Sequence, residues 1–189
     1  GLNKYLVLNS TASEVADNNS FEAVDNSAGT ISVGYPVSDS ASRMVSGGQE
    51  TSYWVGYFFA HNDGDGGFGP DADQDIIKCG SYTGNGSSTG PVINLGFEPQ
   101  WLLIKRATGT ANWFLVDTKR GLPVGSNSNA LFPNNSNAED TNAAAIDVLP
   151  TGFQPKAGSI YINGSGDTYI YVAIRGESIP TITYDSDLQ

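Results

Sequence analysis

Five aspartates stand close together between residues 63 and 75, where their side chains could bind a metal ion. Carboxylate oxygens are the ligands that Ca²⁺ prefers, and this ion takes roughly six to eight of them. The spacing is not that of an EF-hand loop, because counting from Asp63 puts Phe68 at the glycine position and Gln74 at the last position. The segment predicts either a calcium site or a solvated acidic turn, and the candidate ligands are Asp63, Asp65, Asp71, Asp73 and Asp75.

Four other carboxylates could supply the acid–base pair of a glycoside hydrolase, which needs two carboxyl groups roughly 5 to 10 Å apart. They are Glu98, Asp117, Glu139 and Asp167. Each adjoins a predicted turn or strand end, where acidic residues are common. His61 is the single histidine, so any Ser-His-Asp triad would depend on it, and no phosphate-binding or dinucleotide-binding loop motif is present. We expect that the chain is not an enzyme and needs no cofactor other than the candidate calcium.

Carbohydrate binding is a further chemistry that the residue types allow. Sugar faces stack on aromatic rings, while amide, carboxylate and backbone groups bond the hydroxyls. Trp113 and Asn112 lie beside a predicted turn, and Tyr82 precedes the Asn85-Gly86 turn pair. These three residues are therefore the candidate ligand-binding set, with core packing of the aromatic rings as the alternative.

The elements that position these residues are predicted from composition. Of 189 residues, 15% are charged and 23 are glycine, a composition that favours short strands joined by turns over helices. The formal net charge of -11 argues against partners that are nucleic acids or anionic membranes. Cys79 is the single cysteine, so an intrachain disulfide is impossible, and no apolar run is long enough for a membrane span. We predict an all-β protein of antiparallel strands with little helix, a β-sandwich of the jelly-roll or concanavalin-A-like kind.

Individual strands follow from runs of apolar and β-branched residues. Residues 101–106 and 113–117 form the clearest pair, and residues 160–162 with 169–174 have the pattern of a hairpin. Residues 12–16 could form a helical turn. The remaining predicted strands are residues 5–8, 30–35, 53–59, 76–82 and 91–95. The run at 53–59 lacks polar alternation, so we expect it to be buried on both faces or in an interface.

The chain contains an approximate internal repeat. Gly1-Leu2, followed by residues 8–14 and 53–60, parallels Gly121-Leu122, followed by residues 133–139 and 168–175. Such repeats usually mean tandem modules. We predict that residues 1–60 are the C-terminal half of a preceding β-sandwich repeat and that residues 61–75 are a connector. Residues 76–177 would form a second β-sandwich module, and residues 178–189 a linker or tail. On this view the chain is part of a longer modular protein.

A family resemblance covers the second module. Its segments are Lys78-Cys79-Gly80-Ser81-Tyr82-Thr83-Gly84-Asn85-Gly86, residues 95–105, Asp117-x-x-Arg120-Gly121, Ser136-Asn137-Ala138-Glu139, Pro150-Thr151-Gly152-Phe153 and residues 167–173. In this order they resemble a repeated β-sandwich module, described as concanavalin-A-like, of tail fibre and virion surface proteins of marine tailed bacteriophages, especially cyanophages. The resemblance implies a fold and a location, and it carries no catalytic residues.

These expectations combine into one function. We expect a non-enzymatic bacteriophage structural protein on the virion surface, and therefore extracellular, as a tail fibre or appendage module that displays an adhesive surface to the host. It would assemble with further copies of itself, for example as a trimer, and with other virion proteins. It would also bind a host surface glycan, and it would neither bind nucleic acid nor insert into a membrane. The alternatives are a carbohydrate-binding, lectin-like module and a capsid decoration protein.

Overall fold

The computed structural model describes residues 4–16, 23–25, 30–32, 75–122 and 127–176. The described residues form an antiparallel all-β fold without a helix, so the predicted fold class is confirmed. None of them forms a helix that could span a membrane. The strands are β1 Lys4–Tyr5, β2 Val15–Ala16, β3 Ala23–Asp25, β4 Thr30–Ser32, β5 Ile77–Thr83, β6 Ile93–Asn94, β7 Pro99–Arg106, β8 Phe114–Asp117, β9 Ser128–Ala130, β10 Asp140–Ala143, β11 Ile146–Leu149, β12 Gly152–Pro155 and β13 Thr168–Arg175.

Two sheets build the body of the sandwich. The larger has four strands in the order β5-β13-β7-β8, and the smaller has three in the order β11-β12-β6. The pairs β9–β10, β1–β2 and β3–β4 complete the described strands. A bridge between Leu115 and Leu131 joins the chain after β9 to β8, so the β9–β10 pair extends from the edge of the four-stranded sheet.

The alternation of β13 explains how the two sheets pack. Tyr169, Tyr171 and Ala173 are buried, whereas the residues between them are half-buried, as expected when one sheet face meets the core. Tyr82, opposite Tyr169 on β5, stacks on that ring at 5.2 Å between centroids. Phe153 on β12 of the other sheet meets Tyr82 at 6.0 Å and Tyr171 at 5.6 Å, both edge to face. This aromatic group therefore joins the two sheets.

The core requires one glycine because of a close approach. Gly80 lies opposite Tyr171 in the register of β5 and β13. A Cβ added at Gly80 would lie 2.5 Å from the Tyr171 phenol oxygen, which is far inside van der Waals contact. Any side chain at this position would push the Tyr171 ring away from Phe153.

The structure corrects two predicted elements. Residues 160–162 form a turn and not a hairpin strand, because Ser159 O accepts hydrogen bonds from the amides of Ile162 and Asn163. Strand β13 pairs instead with β5 and β7. Residues 12–16 are not helical either, since Val15–Ala16 is a strand paired with β1.

The other predicted strands that fall within the described residues are confirmed in whole or in part. Strands β5, β7, β8 and β13 lie where the sequence predicts them, and residues 101–106 pair with residues 114–117. The predictions at 5–8 and 91–95 are longer than the observed strands Lys4–Tyr5 and Ile93–Asn94. Strand Thr30–Ser32 confirms the first half of the prediction at 30–35, and residues 33–35 lie outside the described residues. The predicted strand at 53–59 lies outside the described residues.

Candidate functional site

A cleft with aromatic and amide walls opens beside the β9–β10 pair. We call it the amide cleft, and its volume is about 290 Å³. Side chains from three parts of the chain meet there: the β9–β10 pair, the turn after β12 and Phe132. Its lining is Asn127, Phe132, Asp140, Asn142, Ala143, Ala144, Ala157, Ser159 and Tyr161.

Two asparagines form the polar rim of the amide cleft. Asn127 precedes β9 and Asn142 lies on β10, and the irregular register between these strands allows their side chains to meet. The Asn127 Nδ2 group donates a hydrogen bond to Asn142 Oδ1. Asp140 accepts a 2.9 Å hydrogen bond from the Asn142 backbone amide through one carboxylate oxygen. The rim therefore has defined geometry although its amide side chains are exposed.

Two rings form the apolar wall. Phe132 and Tyr161 lie 5.8 Å apart between centroids at an angle of 45°, and both are half-buried. Phe114 contacts Phe132 from the core side at 6.1 Å. Within the described residues the Tyr161 phenol oxygen makes no hydrogen bond. The wall thus offers two ring surfaces and one hydroxyl to a ligand.

The turn that carries Tyr161 is fixed by Asn163, a residue without solvent exposure. Its Nδ2 group donates to Asn85 Oδ1 at 2.9 Å and to Ser87 O at 2.8 Å, while its Oδ1 accepts the Asn85 amide at 2.9 Å. Tyr169 adds to this, because its phenol donates to Ile160 O and accepts the Gly164 amide, each at 2.8 Å. Buried and satisfied polar networks of this kind hold a wall in one conformation.

A second cleft, here called the tryptophan cleft, lies at the end of the four-stranded sheet and has a volume of about 390 Å³. Trp101 is half-buried in its wall, and Arg120 closes one side. The Arg120 guanidinium pairs with Asp117 at 3.0 Å and with Glu139 at 3.5 Å. The full lining is Gln100, Trp101, Asp117, Thr118, Lys119, Arg120 and Ile174.

The four candidate hydrolase carboxylates lie in three different surroundings. Asp117 and Glu139 both pair with the guanidinium of Arg120. Asp167 lies elsewhere, in a 2.7 Å ion pair with Arg106 and a 3.0 Å hydrogen bond from Thr108. Glu98 is exposed at the entrance to β7. Sequence reasoning missed one further feature, the G-x-S-x-G spacing of residues 86–90 around Ser88. In a nucleophile elbow a helix follows this motif, whereas here it lies in a loop and strand β6 comes next.

Trp113 is a buried residue, and the N-terminal segment covers it. Its indole Nε1 donates to Val7 O at 3.0 Å, and its backbone amide donates to Asn134 Oδ1 at 2.8 Å. Asn112 accepts a hydrogen bond from the same Asn134 side chain. The predicted role of Trp113 as a stacking platform is therefore corrected, because the ring is 9% exposed and its polar group is already paired.

Tyr82 is also placed in the core, contrary to its predicted role at a ligand site. Its ring is covered by Tyr169 and Phe153, and its phenol donates a 2.6 Å hydrogen bond to Ile162 O. Because Tyr82 lies on β5 and Trp113 precedes β8, they are at opposite edges of the four-stranded sheet. The structure does not bring the predicted sugar-binding residues together.

Lys105 shows how the N-terminal segment packs on the outer face of the four-stranded sheet. This lysine is buried, and its ammonium donates to Arg106 O at 2.7 Å and to Thr11 O at 3.4 Å. Burial, and secondarily the neighbouring Arg106, lowers the pKa of Lys105 below its ordinary value. Backbone hydrogen bonds from Glu14 to Ala107 and from Ala111 to Thr11 complete the contact.

Four of the five candidate calcium ligands, Asp63, Asp65, Asp71 and Asp73, lie outside the described residues, and Asp75 is the fifth. In the part of the chain that is described, no group of three or more histidine, cysteine or acidic side chains could hold a metal ion. The calcium site stays a prediction.

The residues of the amide cleft were not singled out by sequence. Tyr161 was assigned to a strand, and asparagines are so frequent in this chain that Asn127 and Asn142 carry no distinguishing signal. The useful signal was Asp140 with Asn142, an alternating polar pair that points to one side of a strand. That signal makes Asp140 and Asn142 a candidate binding pair, beside the carboxylates considered for calcium binding and hydrolysis.

Comparison with known proteins gives a family and no named relative. A family model described as a domain of unknown function, DUF7483, matches residues 1–178. No curated protein matches the chain, and no solved structure does.

Proposed function

We propose that this chain, which belongs to the DUF7483 family, is a non-enzymatic structural protein of a bacteriophage virion. It would be a tail fibre or appendage module that displays an adhesive surface to the host. The amide cleft carries this proposal, because it is ligand-sized, lined by rings and amides, and fixed by paired strands and the Asn163 network. The resemblance of residues 78–175 to virion surface modules of marine tailed phages supports the same function.

The side chains of the amide cleft suit binding better than reaction. Its lining has a single carboxylate, Asp140, and no histidine, cysteine or lysine. Activation of a nucleophile needs an adjacent base within hydrogen-bond reach, most often a histidine. Three candidate carboxylates outside the cleft, Asp117, Glu139 and Asp167, are paired with arginine.

A second copy of the chain is the partner that we assign to the outer face of the four-stranded sheet. One row across this face is Cys79, Val172, Leu103 and Leu115, and all four residues are half-buried. The row is uncharged, whereas the chain as a whole carries a net charge of -11 that repels other copies. It continues from the part of the face that residues 7–14 cover. A homo-oligomer such as a trimer would bury the row.

Light scattering after size exclusion tests this assembly. We expect an oligomer at micromolar concentration, and Val172→Lys should shift it toward monomer because a charge would enter the contact. Asn137→Lys, which adds the same charge on the exposed loop before β10, should leave the oligomer intact. A monomeric wild-type chain would contradict the assembly.

The amide cleft also favours the second candidate function, a carbohydrate-binding, lectin-like module that acts without a virion. Aromatic rings beside amide and carboxylate groups are what a sugar site requires. The two functions differ in whether the chain is built into a phage particle. A capsid decoration protein is the remaining alternative, and it would bind the phage head without contacting the host.

Competition for host adsorption tests the proposed function. Excess purified chain added to host cells should slow the adsorption of the phage whose genome encodes this sequence, since the chain would occupy the receptor. The cleft variant Asn142→Asp should compete less well, and Asn137→Asp, with the same charge change outside the cleft, should compete like wild type. A decoration protein would leave adsorption unchanged, and that result would overturn the adhesive function.

A further inference from the structure

We propose that the amide cleft binds one uncharged pyranose unit of a glycan and discriminates against acidic sugars. The inference rests on the proposed adhesive function and names the ligand class of the same site. It follows from four features of the cleft: its paired amides, its rings, its charge and its size.

The paired amides leave a fixed set of hydrogen-bonding groups for a ligand. The bond from Asn127 Nδ2 to Asn142 Oδ1 uses one donor and one acceptor. Asn127 Oδ1 and Asn142 Nδ2 lie outside that bond, one as an acceptor and the other as a donor, and Asn127 Nδ2 keeps its second hydrogen. Turning both amides over would leave the same combination. An acceptor beside a donor suits two neighbouring hydroxyl groups, and vicinal hydroxyls are the repeated feature of a pyranose ring.

The rings supply the surface on which the carbon–hydrogen face of a sugar can pack. The planes of Phe132 and Tyr161 meet at 45°, so the wall is not flat. The Tyr161 phenol and the second oxygen of Asp140 add one hydroxyl and one acceptor at the edges. Rings with a few placed polar groups are the usual composition of small-molecule sites.

The charge of the cleft excludes anionic ligands. No lysine or arginine lines it, while the carboxylate of Asp140 does. Lys156 is next to Ala157 in sequence, but its ammonium pairs with Asp147 at 3.6 Å. A uronate or phosphate would place a negative charge beside Asp140 without a cation, which is unfavourable in a chain of net charge -11. A neutral sugar meets no such cost.

The size of the cleft limits the ligand to a single ring. Its volume of about 290 Å³ is at the lower end of the range for ligand pockets, roughly 300 to 1,000 Å³. One pyranose unit of a longer glycan fits such a volume, and the remaining units would extend into solvent. Affinity for one unit would be weak, and several copies on one particle would compensate for it.

Saturation-transfer NMR on the purified full chain tests the inference with defined probes. The methyl glycosides of glucose, galactose and mannose are compared at millimolar concentration with the methyl glycosides of glucuronic and galacturonic acid. We expect transfer to at least one neutral glycoside. We expect affinity at least tenfold lower for the uronate of the same stereochemistry at pH 7. The preference for the neutral glycoside should be weaker at a pH that protonates the uronate.

Three variants locate the binding. Asn142→Asp keeps the acceptor for Asn127 and the side-chain volume but removes the free donor, and we expect at least a tenfold loss of affinity. Tyr161→Ala should lose binding as well, with circular dichroism to establish that it folds. Asn137→Asp adds the same charge on an exposed loop outside the cleft and should bind like wild type.

Each contrary result has a defined meaning. Transfer to no neutral glycoside, equal transfer to neutral and acidic glycosides, or unchanged binding by folded Asn142→Asp would overturn the inference. If the chain still competed for host adsorption in any of these cases, the adhesive function would stand with a different ligand class. If neutral glycosides bound as expected and adsorption were unaffected, the sugar site would stand and the adhesive function would fall.

Discussion

Asn163 and Asn85 hold each other through two hydrogen bonds across 78 residues of sequence, from the Asn85 backbone amide to Asn163 Oδ1 and from Asn163 Nδ2 to Asn85 Oδ1, each 2.9 Å long. Asn163 is buried, and its second Nδ2 hydrogen goes to Ser87 O. The pair therefore connects the loop after β5 to the turn that carries Tyr161. The position of the aromatic wall depends on this connection.

Replacing Asn163 by alanine removes three hydrogen bonds, and it leaves the Asn85 amide and the Ser87 carbonyl without that partner in part-buried positions. We expect the free energy of unfolding to fall by about 3 kcal/mol, since each unsatisfied buried group costs roughly 1 to 3 kcal/mol. Urea denaturation measures it. Asn137→Ala is the matched control, because Asn137 is exposed and its side chain makes no hydrogen bond among the described residues. Equal midpoints for the two variants would contradict the role of Asn163.

The phenol of Tyr82 should contribute to stability and that of Tyr161 should not. Tyr82→Phe removes the 2.6 Å hydrogen bond to Ile162 O and leaves a buried carbonyl without its partner, so we expect a loss of about 1 to 3 kcal/mol. Tyr161→Phe changes a hydroxyl that bonds to no described residue, and its effect should stay within about 0.5 kcal/mol. Guanidinium denaturation of both variants measures the difference. A destabilised Tyr161→Phe would show that its hydroxyl has a structural partner.

Alkaline pH should unfold the protein because three core tyrosines resist ionisation. Burial raises the pKa of Tyr82 well above its ordinary value of about 10, and a smaller effect comes from Tyr169. Burial also raises the pKa of Tyr169, although the hydrogen bond from the Gly164 amide partly offsets it. Burial, with a smaller effect from Cys79, raises the pKa of Tyr171. The folded state keeps these protons while the unfolded state releases them, so this stability is present below pH 10 and lost as pH rises above it.

Lys105 acts in the opposite direction. Its pKa is lowered, so the unfolded state binds the proton more tightly and stability increases as pH rises toward the ordinary lysine value of about 10.4. Melting temperatures from pH 8 to 11.5, recorded with tyrosine absorbance, separate the two effects. We expect three of the nine tyrosines to ionise together with unfolding. Nine tyrosines ionising near pH 10 in a protein that stays folded would contradict the account.

The indole of Trp113 should hold the N-terminal segment on the sheet. Trp113→Phe keeps an aromatic ring but removes the donor to Val7 O. We expect faster hydrogen exchange at the amides of Glu14 and Ala111, which hydrogen-bond across the same contact. Trp101→Phe is the control, because the Trp101 indole is half-buried and bonds to no described residue. Exchange that responds equally to both variants would mean that Trp113 does not fix the segment.

The main sheet could be predicted because its strands are continuous runs of apolar and β-branched residues, as in residues 101–104 and 169–174. Ile160-Tyr161-Ile162 has the same composition and forms a turn. Its backbone groups are satisfied locally through Ser159 and by the side chain of Tyr169, which comes from another element. A local pattern contains no information about that distant partner, so the prediction failed there.

The candidate site could not be predicted for a related reason. Asn127, Asn142 and Tyr161 belong to separate segments that meet through the β9–β10 pairing and the Asn163 network. The residues that sequence favoured, Trp113 and Tyr82, are aromatic residues with polar tips, and such residues suit a core position as well as a binding one. Their burial follows from the sheet register, which the sequence pattern did not determine.

The central claim, that this chain is a virion protein, is tested most directly by cryo-electron microscopy of phage particles purified from the source of this sequence. We expect density for the all-β module in a thin, symmetric projection from the tail, with the amide cleft facing away from the particle and toward the host. Density on the capsid lattice would make the chain a decoration protein. A particle without this chain would contradict the proposed virion function altogether.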